Sequence, residues 1–543
     1  MRFNFYPRTH DWLVISLILL YLVPIWIFQY IPTQDGPSHL NNAQILSQYT
    51  NPTYNFQRIY ELRLEPFPNW LSHAGLAVLM QVFHPLIAEK ILVSLYIIGF
   101  PLSFIYFLGA VNPANRSLGL FSFVFIYNYL FMMGFYNFVF SIPLAFWTLG
   151  YFWKHRRHFT FGQASILNFL LLIIYFGHIV IYLVVLGSIA FIAAIQFISQ
   201  WLSLHGDSIR EHVISLSISL FSLIPTFFIL INYYLKSNFA TSAFRIDGSH
   251  IPSLFKQFIA MRILVSYKSY GQDAIGLVVA AVFAILFMIT IIKRVSRPDF
   301  SIHFSFRFED CILFLFLILF TLYMLLPEAF GSGGFLNERL ALLSCLFLLT
   351  WFDISPSIGF ISKPGTFIPR LSLKLMHPPV LIILCCLTSL TMLTGVTYSF
   401  ARIQPLLQEY TSGVELIKPN TVVLPLNFSG DENDTTRVDP LLHANHYHTL
   451  TNGAINLGNY EPFVDYFPLK FKSGLDLPIY LPGMNWADVL RKHQHVLSLC
   501  SYTSMVNYLL IWNTPDEFFK TDIDLCYTQV YSNGRMKIYT PKR

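Results

Sequence analysis

The feature that most constrains this chain is a succession of apolar runs, each close to the length that crosses a lipid bilayer. The first extends from Trp12 to Tyr30 and follows a short polar start containing Arg2 and Arg8. It is too long for the apolar part of a signal peptide and has no small-x-small cleavage pattern, so it reads as a retained helix. Further runs able to span ~30 Å of hydrocarbon begin near Ala88, Ser117, Phe135, Gly162, Ile179, Val213, Asp273, Asp310, Leu340 and Pro379. The expectation is a mainly α polytopic membrane protein with about eleven transmembrane helices. Charge supports it. Only 12% of the 543 residues are charged, against about 25% in soluble chains. A soluble enzyme and a disordered chain are both excluded. No loop carries a basic stripe interleaved with stacking aromatics, so nucleic acid is not an expected partner.

The charges are unevenly spread. Residues 1–399 hold 23 Lys/Arg and 15 Asp/Glu, whereas residues 400–543 hold 12 and 14. The shift near residue 400 divides a transmembrane domain, 1–399, from a water-soluble tail domain, 400–543. With the N-terminus inside, the inner loops collect Arg116, Lys154, Arg156, Arg157, Arg210, Lys293, Arg294, Arg297, Arg307, Lys363, Arg370 and Lys374. That is the positive-inside pattern, and an odd span count places the tail outside. Residues 31–87 then form a long first outer loop. Asn69 to His84, apolar but short, is read as an interfacial helix within it.

The tail reads as mixed α/β. Thr421–Phe428 and Val506–Trp512 are strand candidates, and Thr514-Pro515 begins a helix. Tyr527–Tyr531 and Met536–Tyr539 flank Asn533-Gly534, a pair suited to a type I′ hairpin turn. Cys500 and Cys526 are the tail's two cysteines and pair in an oxidising compartment; two free buried thiols are the equal alternative. Cys311, Cys345, Cys385 and Cys386 lie in apolar runs as small core residues.

The chemistry concentrates where the first helix leaves the membrane, in Pro32-Thr-Gln-Asp35-Gly-Pro-Ser-His39. A partly desolvated Asp35 suits the role of general base toward a hydroxyl nucleophile. By pattern alone the stronger reading is a loop in which Asp35 starts the Gly36-Pro37 turn and Ser38 caps a helix from His39. His39 orients Asp35 or contacts the acceptor, with a satisfied loop histidine as the equal alternative, and Glu61 and Glu65 are further carboxylates on the same loop. In the tail, Asp439 and the His443-Ala-Asn-His446-Tyr-His448 run invite a metal, but their spacing favours a polar surface loop. Asn427-Phe-Ser and Asn433-Asp-Thr match the glycosylation acceptor pattern.

An acidic residue just after the first helix, a surface-lying loop ending in Pro66-x-Pro68-Asn-Trp-Leu, and Leu79-Met-Gln-Val-Phe-His-Pro-Leu-Ile-Ala88-Glu-Lys resemble the GT-C glycosyltransferases. The resemblance implies a polytopic enzyme of the bacterial inner membrane with an extracytoplasmic tail. It implies a polyprenyl-phosphate sugar donor and a lipid or glycan acceptor, with Asp35 as base. The family's acidic motif is often a pair, whereas Asp35 precedes Gly36, so no metal cofactor is expected. The departing phosphate needs a cation. Arg339, in Gly331-Ser-Gly-Gly-Phe-Leu-Asn-Glu338-Arg339, is a candidate because its donors form a planar fork; the bland alternative pairs it with Glu338 or Glu328. His178, at a predicted tight turn after Gly177, is the second candidate, with Lys268 and Arg262 in reserve. A flippase of lipid-linked saccharides is a competing class, but no internal repeat is visible and polar residues gather at outward helix ends. A non-catalytic scaffold of the same fold is the third.

Overall fold

The computed structural model describes residues 9–203, 217–218, 223–236, 248–267, 271–295, 307–329, 333–354, 378–428, 437–464, 466–484, 499–514 and 523–542. Lys268 and Asn433 lie outside the described residues, as does the helix expected after Thr514-Pro515. Five helices among the described residues are long and apolar enough to cross a membrane: Pro85–Val111, Ile179–Ser199, Gln272–Ile291, Phe308–Leu325 and Val380–Leu416. Asp11–Ile27 and Phe161–Gly177 are shorter apolar helices. The chain divides into two compact units.

The first unit comprises Met1–Val23, Leu95–Leu130 and Phe138–Val396. Its apolar helices leave large side chains outward, among them Phe169, Trp201, Phe228 and Leu277, as lipid-facing surfaces do. The run from Ser117 is not an α-helix. Pro113–Phe125 is a 3₁₀ helix, begun by Asn112, whose side chain accepts the Ala114 N–H, and by Pro113. Thirteen residues at ~2.0 Å each still reach about 26 Å. The helices Phe161–Gly177 and Ile179–Ser203 are separated by His178 alone, in extended conformation. Charges at helix ends are paired: Lys293 Nζ donates to the Asp353 carbonyl at 2.9 Å, and Arg307 Nη1 reaches Asp353 Oδ2 at 3.5 Å. Asp310 accepts from the Arg307 N–H and the Trp351 indole, at 2.9 and 3.1 Å.

The second unit comprises Pro24–Ser94, Phe131–Asn137 and Thr397–Arg543. Strands β1 (Tyr60–Leu62), β2 (Val422–Asn427), β3 (Ile455–Asn456), β4 (Leu469–Phe471), β5 (Tyr508–Trp512), β6 (Tyr527–Asn533) and β7 (Met536–Pro541) form two sheets. The larger has the order β3-β2-β5-β7-β6, with β2 parallel to β3 and β5, and β7 antiparallel to β5 and β6. Its buried β2 and β5 are apolar throughout except at the last residue of β2, as expected of strands covered on both faces. Strand β1, from the 31–87 loop, pairs antiparallel with β4, and Phe56, Ile59 and Tyr60 join the sheet's apolar core.

The β6–β7 turn differs from the expected Asn-Gly type. Asn533 pairs with Met536, so the loop residues are Gly534 and Arg535. Of these only Gly534 has positive φ, 56°, which is the type II′ pattern. Glu409 explains the shift: it accepts the Arg535 backbone N–H at 2.8 Å and the guanidinium at 3.0 Å. Cys500 and Cys526 are joined as a disulfide with Cα atoms 5.4 Å apart.

Candidate active site

The segment after the first helix turns directly into a second helix, Gly36–Ser47, in which every residue from Gly36 to Ile45 is buried. Its polar side chains therefore need partners, and the tail provides them. Asn42 and Asn459 exchange amide hydrogen bonds of 3.0 and 2.8 Å, Thr449 donates to Asn41 Oδ1 at 2.9 Å, and Ser38 donates to Glu461 at 3.3 Å.

Asp35 occupies the N-cap position of this helix, but its side chain makes no capping hydrogen bond. Neither does Ser38 start the helix, which already begins at Gly36. The carboxylate instead faces tail residues. Tyr460 donates its phenol to Oδ2 at 3.2 Å, His443 Nε2 stands 3.7 Å from Oδ1, and Gln34 donates to Oδ1 at 3.3 Å. Burial pushes the Asp35 carboxyl above the ordinary aspartate range, against the lowering pull of His443, His39, Gln34 and Tyr460.

Backbone packing fixes this placement. Gln34 and Asp35 donate their N–H groups to Met132 and Met133 carbonyls at 3.0 and 3.1 Å. Gly134 lies across them with φ +79°, and a Cβ there would stand 2.5 Å from the Gly36 nitrogen. A Cβ on Gly36 would meet Thr33 Oγ1 at 2.2 Å, the Tyr136 hydroxyl at 2.8 Å and Glu89 Oε1 at 3.1 Å. This is why a second acidic residue cannot follow Asp35: the space is filled, in part by another carboxylate. Glu89 is buried and accepts the Tyr136 hydroxyl at 2.6 Å. Its neighbour Lys90, also buried, donates to the Phe28 carbonyl at 2.7 Å.

His39 lies one turn beyond Asp35. Its Nδ1 is 2.7 Å from Glu461 Oε1, and His73 Nε2 is 2.9 Å from Glu461 Oε2. Burial raises the Glu461 carboxyl, but the His73 and His39 imidazoles outweigh it and hold the group well below the usual carboxylate range. His39 moves up: burial opposes its charge, and Glu461 more than compensates. His73 moves down, because burial dominates there. Among the described residues this trio is the one His/Cys/Asp/Glu group arranged to hold a metal ion.

The histidine-rich run is not the polar surface loop expected of it. Ala444–His448 forms a buried 3₁₀ turn, and His446 and His448 have no exposed surface. Its histidines diverge. His443 faces Asp35, while His448 Nε2 donates to the Tyr410 carbonyl at 2.8 Å. Glu61 lies exposed on β1 and Glu65 is held by Arg63 at 3.1 Å, so neither belongs to the Asp35 cluster.

His178 and Arg339 belong to the first unit, where both flank the Phe138 ring. The His178 ring packs edge-on at 5.1 Å, and the Arg339 guanidinium lies 5.7 Å from the ring centre. His178 Nδ1 accepts the Val180 N–H at 3.2 Å, which begins the next helix. The sequence reading did not single out Tyr460, Glu461, His73, Glu89 or Lys90. The last two stand in the quoted Ala88-Glu-Lys segment; Tyr460 lies 425 positions from Asp35 and Glu461 lies 388 from His73, and neither had a local signal.

No family model matches the chain, and no curated protein matches it. Solved structures do. The crystal structure of ArnT from Cupriavidus metallidurans in the apo state has a TM-score of 0.51 at 10% identity, covering 97% of each chain. ArnT from the same organism bound to undecaprenyl phosphate has a TM-score of 0.51 at 10% identity, covering 98% of each chain. The chain therefore shares the fold of these ArnT structures over nearly its whole length.

Proposed function

We propose that the protein is a membrane glycosyltransferase that moves a sugar from a polyprenyl-phosphate donor onto an extracytoplasmic acceptor, with Asp35 as general base. One observation carries the reading: a buried carboxylate at a helix N-cap position that caps nothing, is raised in basicity by its burial, and faces Tyr460 and His443. The GT-C fold and an ArnT structure holding undecaprenyl phosphate support the donor class.

In this reading an acceptor hydroxyl attacks the anomeric carbon while its proton passes to an Asp35 oxygen. The anomeric carbon–phosphate oxygen bond breaks, and the polyprenyl phosphate leaves with the electron pair. Tyr460 and His443 hold the carboxylate in place without the full positive charge of an Arg or Lys, which would depress its basicity. Lys90 is the buried cation among the described residues of the same unit and is assigned to the leaving phosphate. Arg339 and His178 are the alternative phosphate ligands, checked by donor binding to Arg339→Ala, which should weaken if they serve. The reading also places the 400–543 tail, and with it the Cys500–Cys526 disulfide, outside the inner membrane.

The test is sugar transfer by purified Asp35→Asn protein, alongside donor binding. Transfer should fall on the order of 10³-fold with donor affinity retained. Near-normal transfer would remove Asp35 from the reaction.

A further inference from the structure

Three side chains converge on one point inside the second unit. His39 Nδ1 lies 3.0 Å from His73 Nε2 and 2.7 Å from Glu461 Oε1, and His73 Nε2 lies 2.9 Å from Glu461 Oε2. The residues are 4%, 0% and 1% exposed. Without a cation, the arrangement in which both imidazoles donate to Glu461 protonates both facing nitrogens. The two protons then face each other across the His39–His73 gap. A cation at the centre removes both protons and satisfies all three ligand atoms at once.

We propose that His39, His73 and Glu461 bind one divalent transition-metal ion of the zinc class. Two imidazoles and one carboxylate form a donor set that zinc takes with its fourth position open. Ligand atoms around tetrahedral zinc, with bonds of ~2.0–2.1 Å, stand roughly 3.3 Å apart, so the trio needs to open by only a few tenths of an ångström. The supports expected around such a centre are in place. The His39 ring hydrogen-bonds the Gly134 backbone, and Ser38 Oγ donates to Glu461 Oε1. The helix that carries His73 is anchored at its start by Asn137, whose side-chain Oδ1 accepts the Ser72 N–H at 3.0 Å.

The ligands come from distant parts of the sequence: two from the first outer loop and one from the tail. An ion here fastens those segments together. It also fixes Tyr460, the residue before Glu461, whose hydroxyl meets Asp35. The metal's role is thus to position the carboxylate's partner. The inference stands on the ligand geometry and does not depend on the transfer reading.

The experiment uses full-length protein purified in detergent, stripped with a chelator, and titrated with Zn²⁺ and with Co²⁺. One ion should bind per chain, raise the unfolding temperature, and give cobalt the intense visible bands of a four-coordinate site. His73→Gln and Glu461→Gln should each weaken uptake at least ~10-fold, whereas replacing the exposed His84 with Ala should leave it unchanged. Because a ligand variant can misfold, the cobalt spectrum of the unaltered chain serves as an independent measurement. No bound ion, the weak spectrum of hydrated cobalt, or undiminished uptake in both ligand variants would overturn the proposal and leave a buried imidazole–carboxylate network. Metal uptake with normal transfer by Asp35→Asn would instead uphold the ion and reject the general base.

Discussion

Two buried carboxylates of this chain, Asp353 in the first unit and Asp35 in the second, are held in opposite ways. Asp353 is matched by cations: Lys293 Nζ lies 3.9 Å from Oδ1 and Arg307 Nη1 3.5 Å from Oδ2. Its backbone N–H also donates to Thr290 at 3.0 Å. Asp35 is met by a phenol, an amide and an imidazole. Full neutralisation by Lys and Arg stabilises a carboxylate's charge and makes it a poor proton acceptor. Partial neutralisation leaves it buried, ordered and basic. The first arrangement is suited to holding helix ends together, the second to accepting a proton.

The largest effect that breaks this comparison comes from the isosteric pair Asp35→Asn and Asp353→Asn. The first should abolish transfer, on the order of 10³-fold, with the unfolding temperature held or raised, because a buried carboxylate short of cations is relieved. The second should do the reverse. It removes the carboxylate charge that faces Lys293 and Arg307 and should cost about 3 kcal/mol of stability, while transfer per folded molecule stays near normal. Thermal unfolding in detergent and a transfer assay on the same preparations separate the outcomes. Equal stability loss in both would mean that Asp35 is merely structural.

Next in size is Gly134→Ala. The backbone there has φ +79°, and the added methyl would press on Gly36 and Asp35. A loss of about 2 kcal/mol should be accompanied by reduced transfer, since the loop that accepts the Gln34 and Asp35 N–H groups has to move. An Ala at Gly162, where a Cβ meets nothing within 4 Å, should change neither. Retained stability and activity in Gly134→Ala would show that the Asp35 turn is not set by this packing.

These residues also show what the sequence could disclose. Asp35 and His39 stand in a polar break right after an apolar run, and β2 and β5 are apolar runs bounded by polar residues. Composition and order are enough to locate both. The histidine run was misjudged because its spacing says nothing of depth: Ala444–His448 is buried as a 3₁₀ turn in the second unit. The hairpin turn moved by one residue because Glu409, over a hundred positions away, holds Arg535. The run from Ser117 is apolar enough for a span, yet its winding depends on Asn112, Pro113 and on Gly119, where a Cβ would meet Ile105 at 2.3 Å. Glu461 was invisible for the same reason. Its meaning comes from His39 and His73, which only the fold brings to it.

The smallest effect sharpens the comparison most. Tyr460→Phe removes one hydrogen bond to the Asp35 carboxylate, the 3.2 Å contact at Oδ2, and leaves the ring in place. That bond favours the charged form, so its loss raises an Asp35 carboxyl already raised by burial. A general base works when ionised, so kcat/KM should fall as pH drops through the Asp35 pKa. In Tyr460→Phe this acid limb should move to higher pH. At neutral pH the variant should lose roughly tenfold in kcat, about 1.4 kcal/mol, and regain part of it as pH rises. His443→Asn should move the limb the same way, because His443 also lowers the Asp35 carboxyl. A uniform loss at every pH would make Tyr460 a packing residue only. A limb that moves in Tyr460→Phe but stays fixed in Asp353→Asn would tie the titration to the carboxylate that lacks cations.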